Sequence, residues 1–320
     1  MHALVVARHD RFDGLEYTDV PDPHPGSGEV SIDVQTAGVG LIDALWTTGA
    51  MPSLPGFIPG LEVSGTIRGL GDGVTGFAVG QQVAALLPSA GGFAEIVSAP
   101  ATLAAAIPEG LSIDVAAVVP VNTVTAHLAL TTVARFSPAE SLLVHAGVGG
   151  LGSQFAHVAR ALGAGRIDAV VGTATKQEVA RSLGYDHAYL RSELSTVPQD
   201  AYDIVVDPVG GEATQTAFRC MRSGGRLLRV GNASQAPDVA LGSIDHWLQN
   251  KTTAGFNVGA WLAAHPEAGV DSMAWALAAV ARGDVQVELT RTAELSEAAD
   301  LLAALERGET TGKVALHVRR

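Results

Sequence analysis

Apolar and polar positions along this chain keep one rhythm in its first third and another in its middle. Val30, Ile32 and Val34 alternate with polar neighbours, the two-residue period of a strand with one buried face. Val63–Arg68, Val79–Leu86 and Phe93–Ser98 are further strand candidates, and the sequences Pro21-Asp22-Pro23-His24-Pro25-Gly26 and Gly69-Leu70-Gly71-Asp72-Gly73 punctuate them as turns. Short strands with little helix between them predict a small barrel or sandwich.

The period changes near residue 112. Ser112 is placed as an N-cap, and the apolar segment from Val115, interrupted by Pro120, leads into a helical stretch from about Val124 to Ala134. Beyond it, strand candidates at Ser141–His145, Ile167–Val171, Asp203–Val206 and Arg226–Val230 alternate with helices at Leu151–Leu162, Gln177–Leu183 and Ala213–Met221. That is the rhythm of a parallel sheet with helices on both faces. The tail predicts helices at Met273–Arg282 and Ser296–Arg307, the second with Ser296 as cap and Gly308 as stop, and a closing strand at Lys313–Val318. The fold class is therefore α/β, a β-rich domain joined to a doubly wound sheet.

Composition narrows the function. The 320 residues, 47% hydrophobic and 17% charged, can bury sizeable cores and imply two domains at about 150 residues each. A formal charge of −13 excludes nucleic acid as a partner. The longest apolar stretch, Met273–Ala281, is about half of the roughly 20 residues a membrane span needs, and the N-terminus, with His2, Arg8, His9 and Asp10, lacks a signal-peptide core. A cytoplasmic protein with no membrane partner is expected. Cys220 is the only cysteine and no two histidines form an H-x-x-x-H pair, so no metal site is expected. Lysine occurs only at positions 176, 251 and 313.

The strongest chemical signal is Gly147-Val148-Gly149-Gly150-Leu151-Gly152, a G-x-G-x-x-G string that follows an apolar strand and opens a helix. Gly147 permits the tight turn, Gly149 lets the backbone approach a pyrophosphate, and Gly152 lets the helix pack on the strand. The phosphates would meet free N–H groups at the positive end of the helix dipole. The next strand ends Val170-Val171-Gly172-Thr173-Ala174-Thr175-Lys176, with no acid at its tip to bond a ribose 2′-hydroxyl. Asp168 lies at the wrong end of that strand. Thr173 and Lys176 suit a 2′-phosphate, with Arg181 about a turn further on, so NADPH is favoured over NADH. The competing reading of Lys176 is a solvated charge in a helix's first turn, where the dipole disfavours a cation.

With this turn behind a β-rich N-terminal half, the chain resembles the zinc-independent, zeta-crystallin-like quinone oxidoreductases of the medium-chain dehydrogenase/reductase superfamily. The resemblance runs over almost the whole chain. Its strings are, in order, Ala37-Gly38-Val39-Gly40-Leu41-Ile42-Asp43, Ile58-Pro59-Gly60-Leu61-Glu62-Val63-Ser64-Gly65, Thr125-Ala126-His127-Leu128-Ala129-Leu130, His145 to Gly152, Val206-Asp207-Pro208-Val209-Gly210-Gly211, Gly255-Phe256 and Thr310-Thr311-Gly312-Lys313-Val314. It implies a GroES-like, partly open β-barrel substrate domain (residues 1–122 and 258–320), a Rossmann domain (residues 123–257), and a homodimer. It also implies hydride transfer from NADPH to a quinone or an α,β-unsaturated carbonyl. Zinc-dependent members read G-H-E where this chain has Gly60-Leu61-Glu62, so no zinc is expected. The family's V-N-P-x-D is Val39-Gly40-Leu41-Ile42-Asp43 here, the aromatic after Thr-Ala is His127, and Tyr189 stands close to where a tyrosine is often found.

For the cofactor, the resemblance places Gly147, Val148, Gly149, Gly150, Leu151 and Gly152 on the pyrophosphate, Thr125 near the nicotinamide, and Val230-Gly231-Asn232 along its border. Backbone at Phe256-Asn257-Val258 would hold the carboxamide, and Lys313 would reach the cofactor from the tail. Gly40, Asp43, Trp46 and His127 are the candidate substrate side, each with a structural competitor: Asp43 as a helix brace, Trp46 and His127 as core residues. Glu62 reads as partner to a basic group, His145 as structural, Cys220 as a buried hydrophobe and Lys251 as a solvated charge. Two other functions stay open. One is an NADPH-binding redox sensor or crystallin-like protein without turnover. The other is an enoyl-thioester reductase, which needs an N-terminal-domain tyrosine where this chain has only Tyr17.

Overall fold

The structure, a computed structural model, describes residues 1–318. Its contacts divide the chain into two compact units. One comprises Met1–Val124, Leu262–Gly283 and the segment from Val287, and the other Thr125–Trp261 with Asp284–Gln286.

The first unit opens with β1 (His2–Val6) and β2 (Leu15–Asp19), an antiparallel pair. There follow β3 (Glu29–Val39), α1 (Leu41–Thr48), β4 (Glu62–Leu70), β5 (Gln82–Leu86), β6 (Ile96–Pro100), β7 (Ala104–Ala106) and α2 (Ile113–Ala116). The division between units falls within α3 (Asn122–Leu128). The second unit continues with β8 (Ser141–His145), α4 (Gly150–Ala161), β9 (Arg166–Val171), α5 (Ala174–Ser182), β10 (His187–Leu190), β11 (Tyr202–Asp207), α6 (Glu212–Cys220), β12 (Met221–Arg229), α7 (Ser243–Gln249), β13 (Thr252–Gly255) and α8 (Val258–Ala264). The tail returns to the first unit through α9 (Pro266–Arg282), β14 (Leu289–Glu294), α10 (Ala298–Glu306) and β15 (Lys313–His317).

In the first unit a seven-stranded sheet runs β14-β15-β3-β4-β5-β7, with β6 also paired to β3. The path is open at both ends. Val30, Ile32 and Val34 of β3 are fully buried in one core with Val63, Val83, Phe93, Leu301 and Leu316. Fully burying a Val, Leu or Phe side chain stabilises by roughly 1.5–3 kcal/mol, which is why the alternating sequence fixes the inner face. The second unit holds a six-stranded sheet, β10-β9-β8-β11-β12-β13, parallel at every pairing. Its central strands are apolar on both faces, as a sheet covered by helices requires. This is the doubly wound order in which the chain switches direction between β8 and β11, and ligands bind at the carboxyl ends of the strands there.

Several boundaries differ from expectation for local reasons. The strand read from Val79 begins at Gln82, because Gly80 (φ +87°) turns the chain and leaves Val79 exposed. Phe93 pairs through an isolated contact of Leu4 N–H with its carbonyl, and β6 starts only at Ile96. The helix read to Ala134 ends its α-form at Leu128 and continues as a π-turn over Ala129–Val133. Ser112 does cap α2, accepting from Val115 N–H at 3.3 Å. Ser296 caps nothing: it lies inside a short 3₁₀ turn, and Glu294 and Glu297 form the capping box. Helix α9 starts at Pro266, a residue suited to the first helical position, and not at Met273. Among the described residues no helix is long and apolar enough to cross a membrane.

Candidate cofactor and substrate sites

In the second unit β8 ends at His145, and Ala146 turns the chain with φ +51°. Gly149 N–H closes that turn on Ala146 C=O at 2.9 Å, and Gly149 is then the N-cap of the 12-residue α4. No side chain caps this helix. The first intrahelical bond is Ser153 N–H to Gly149 C=O, so the amides of Gly150, Leu151 and Gly152 are those that an α-helix leaves without internal partners. The three motif glycines differ in what they avoid. A Cβ on Gly152 would overlap the Ala146 carbonyl oxygen, and one on Gly147 would sit 2.7 Å from the Ala169 methyl. At Gly149 the nearest atom would be 3.3 Å away, so the chain's own packing demands least there.

At the neighbouring tip of β9, Thr173 caps α5 by accepting the Lys176 N–H at 3.2 Å. Helix α5 thus starts at Ala174 and puts Lys176 in its first turn. Burial and the Arg191 guanidinium both push the half-buried Lys176 ammonium below its usual pKa. Arg191 reaches the same place, since a Cβ on Gly172 would lie 2.6 Å from one of its guanidinium nitrogens. Sequence reasoning missed Arg191. It directly follows β10, the strand beside β9, and only recognition of that four-residue strand would have brought it to the tip. Arg181 belongs elsewhere: it lies in the last turn of α5, where a cation complements the helix dipole. Asp168 is fully buried, 2.5 Å from the Tyr202 hydroxyl and 2.6 Å from Arg166.

Val230–Asn232 and Phe256–Asn257 follow β12 and β13 at the same carboxyl edge. Val230 N–H donates to Asp207 C=O at 3.1 Å, Gly231 passes close to the Pro208 carbonyl, and Asn232 bonds Ala236 C=O. Phe256 follows β13 and packs on the Trp261 ring at 5.8 Å, while the Asn257 side chain caps α8 by accepting from Ala260 N–H. Asp207 shapes this edge: its carboxylate accepts from the Val209 and Gly210 amides and from Thr214. His145 is buried, its Nε2 has no hydrogen-bond partner, and burial lowers its pKa to about 4. Thr125 is buried on α3, and burial lowers half-buried His127 to about 4, so its imidazole is neutral near pH 7.

In the first unit, Asp43 is 1% exposed. Its two oxygens accept from Gly40 N–H at 2.8 Å and Gly60 N–H at 2.9 Å, tying the start of α1 to the entry of β4. Burial raises its pKa to about 6 against the pull of those amides. Trp46 is half-buried with its ring edge-on to Phe57 at 5.1 Å. Glu62 pairs with Lys313 at 2.5 Å and accepts from Val121 N–H at 2.8 Å. Lys313, expected at the cofactor, therefore has its ammonium buried on Glu62. Lys251, expected in solvent, is buried as well, bonded to Asp200 at 2.8 Å and Phe218 C=O at 3.1 Å. Cys220 is a free, buried thiol pushed up to about 11 by burial.

These residues do not fit zinc. Both Asp43 oxygens are occupied by amides, Glu62 is committed to Lys313 and Val121, and Leu61 offers no donor. Among the described residues no group of three or more His, Cys, Asp or Glu is disposed to hold a metal.

Comparison with known proteins gives two domain matches. The alcohol dehydrogenase GroES-like domain matches residues 26–109, and the zinc-binding dehydrogenase domain matches residues 183–316. The chain is similar to the phthioceranic/hydroxyphthioceranic acid synthase of Mycobacterium tuberculosis, at 30% identity over 303 residues, covering 92% of this chain and 14% of the synthase. It spans only 14 to 15% of the length of such curated relatives. Among solved structures it is similar to a mycobacterial protein complexed with NADPH, with 27% identity, a TM-score of 0.90 and coverage of 99% of this chain and 100% of that one. It is also similar to a mycobacterial quinone oxidoreductase, at 26% identity and a TM-score of 0.88, with 99% and 100% covered. A GroES-like N-terminal part, a doubly wound parallel sheet carrying the glycine-rich turn, and this ordered set of motifs establish that the chain belongs to the medium-chain dehydrogenase/reductase superfamily.

Proposed function

We propose that the chain is an NADPH-dependent oxidoreductase that delivers hydride to a quinone or an α,β-unsaturated carbonyl without a metal. The observation that carries this reading is the Lys176–Arg191 pair at the tip of β9, next to an uncapped glycine turn. Amide donors at a helix start suit a pyrophosphate, and two adjacent cations suit the 2′-phosphate that distinguishes NADPH from NADH.

Bound NADPH would supply a hydride, that is, two electrons and a hydrogen nucleus. The amides of Gly150, Leu151 and Gly152 would hold its pyrophosphate, and Lys176 and Arg191 would orient its adenosine end. With that hydride on the electron-poor carbon of the acceptor, the π pair would move onto the acceptor oxygen, which would take a proton from water. A neutral His127 can donate one N–H to the developing oxyanion, which is electrostatic help with no metal. The rest of the acceleration comes from positioning the two partners.

The test is oxidation of NADPH and NADH against panels of ortho-quinones and activated enones, in buffer containing a chelator. Saturable turnover that prefers NADPH and ignores the chelator is expected. Tight NADPH binding with no turnover on either panel would refute the catalytic proposal and favour a sensor. An enoyl-thioester acceptor belongs in the panel because the curated relatives include a phthioceranic/hydroxyphthioceranic acid synthase and a mycocerosic acid synthase-like polyketide synthase. Against it, Tyr17 is 53% exposed and stacked on His2, no position for a proton donor.

A further inference from the structure

The glycine-rich turn is held from behind by a side chain more than thirty residues further along. Tyr185 follows α5 after Gly184, whose φ of +82° turns the chain back towards the sheet. Its backbone is fixed on both sides. Tyr185 N–H donates to Ala180 C=O, Asp186 N–H donates to Ile167 C=O of β9, and the Asp186 carboxylate accepts from Ile167 N–H and from Arg160 of α4. The phenol is 5% exposed. It packs against Gly147, where an added Cβ would lie 3.0 Å from the hydroxyl oxygen and 3.1 Å from Cζ. The hydroxyl lies 2.8 Å from Gly147 C=O and 3.0 Å from Gly152 C=O, so its one proton serves both ends of the motif.

We infer that Tyr185 is a positioning residue that presets the glycine turn for the cofactor's pyrophosphate. This rests on the reading of the turn as an NADPH site. In a planar trans peptide the C=O and the following N–H point in opposite directions. Drawing the Gly147 carbonyl towards Tyr185 therefore turns the Val148 N–H away from it. The same hydroxyl fixes the first turn of α4 relative to that peptide. The turn includes Ala146 at φ +51°, a conformation that costs a non-glycine residue energy and persists only where its surroundings hold it. Without the hydroxyl, the turn samples other peptide orientations before binding, and ordering it reduces affinity.

The experiment is Tyr185→Phe, which keeps the ring packing and removes the donor, with NADPH and NADH titrated by calorimetry into wild type and variant. Loss of one such tie is expected to raise Kd about fivefold to tenfold, alike for both dinucleotides because each carries the pyrophosphate. At saturating NADPH, kcat stays within about twofold, and amide hydrogen exchange in residues 146–152 of the free protein accelerates. A merely structural tyrosine would lower the melting temperature and leave Kd and local exchange unchanged. If wild type binds and Y185F binds equally well, the inference is overturned while the NADPH reading stands. A loss confined to NADPH would assign Tyr185 to the 2′-phosphate end and overturn it too. A wild type that binds neither dinucleotide overturns the NADPH reading and this inference with it.

Discussion

Replacing Lys313 by methionine isolates the buried pair at the heart of the first unit. The Glu62 and Lys313 side chains are 3% and 2% exposed and 2.5 Å apart. Gly38 packs closely on the carboxylate, since a Cβ there would fall 2.6 Å from Glu62 Cγ and 2.7 Å from Oε1. Lys313→Met therefore leaves a buried carboxylate with the Val121 amide as its remaining donor. Stranding one partner of such a pair costs about 3–5 kcal/mol. For a unit of this size about 2–4 °C is lost per kcal/mol, so the melting temperature should fall by about 6–20 °C. The double variant Glu62→Gln/Lys313→Met removes both charges and keeps an acceptor for Val121 N–H, so it should recover most of the loss. Thermal melts of wild type, K313M, E62Q and the double variant give the coupling energy. NADPH titration below the melting range gives the second readout. A brace predicts affinity within about twofold of wild type, whereas a charge-assisted phosphate contact predicts loss of about tenfold. A K313M variant destabilised by less than about 1 kcal/mol, or a double variant as unstable as the two single losses combined, would refute the buried-pair argument.

Lys176→Ala and Arg191→Ala should each weaken NADPH by about 1–2 kcal/mol and leave NADH nearly unchanged, as calorimetry would show; equal loss for both dinucleotides sinks the 2′-phosphate assignment. Gly152→Ala forces a methyl into the Ala146 carbonyl and to 2.8 Å from Gly147 Cα, both backbone, so no side-chain rotation relieves it; both dinucleotides should bind at least about tenfold more weakly, measured by titration. His145 is held neutral, lowered to about 4 against an ordinary 6.5. Between those values the unfolded chain binds a proton that the native state refuses, so stability falls on acidification with a slope approaching about 1.4 kcal/mol per pH unit. Urea midpoints from pH 4.5 to 7.5 should therefore be flatter in His145→Asn. Asp43, raised to about 6, works with the opposite sign: the native state binds the proton first, and stability lost as pH rises from the ordinary carboxylate value through 6 should be missing from Asp43→Asn.

What could be read from the sequence was what depends on neighbours in sequence. The glycine turn needs a strand, three glycines at set spacing and a helix, all within a dozen residues, and the structure has them there. Asp43 as a brace was half legible: its bond to Gly40 N–H is a local capping contact, but its bond to Gly60 joins residues seventeen apart. Edge strands were harder. His187–Leu190 and Thr252–Gly255 are four residues each with no alternation, and they exist because a parallel neighbour supplies the pairing. Missing β10 meant missing Arg191. Lys251 was misread, and the pairing of Lys313 with Glu62 was not legible, because an ammonium's burial depends on a carboxylate 51 or 251 residues away.

The three lysines, set against one another, say most about the site. A lysine ammonium is a compact point charge, suited to a buried spot with one carboxylate to meet it. Lys251 on Asp200 and Lys313 on Glu62 use it that way. At Lys176, burial and the neighbouring Arg191 guanidinium lower the ammonium's pKa. Lys176 also stands in the first turn of α5, where the helix dipole is positive. Burial, a like charge and the dipole each disfavour the ammonium there. A dianionic group between Lys176 and Arg191 reverses the sign of the last two at once. Unfavourable electrostatics that one ligand charge would relieve belong at a binding site. On the proposed reading, the extra phosphate of NADPH would be such a charge, at the end of the strand next to the glycine turn.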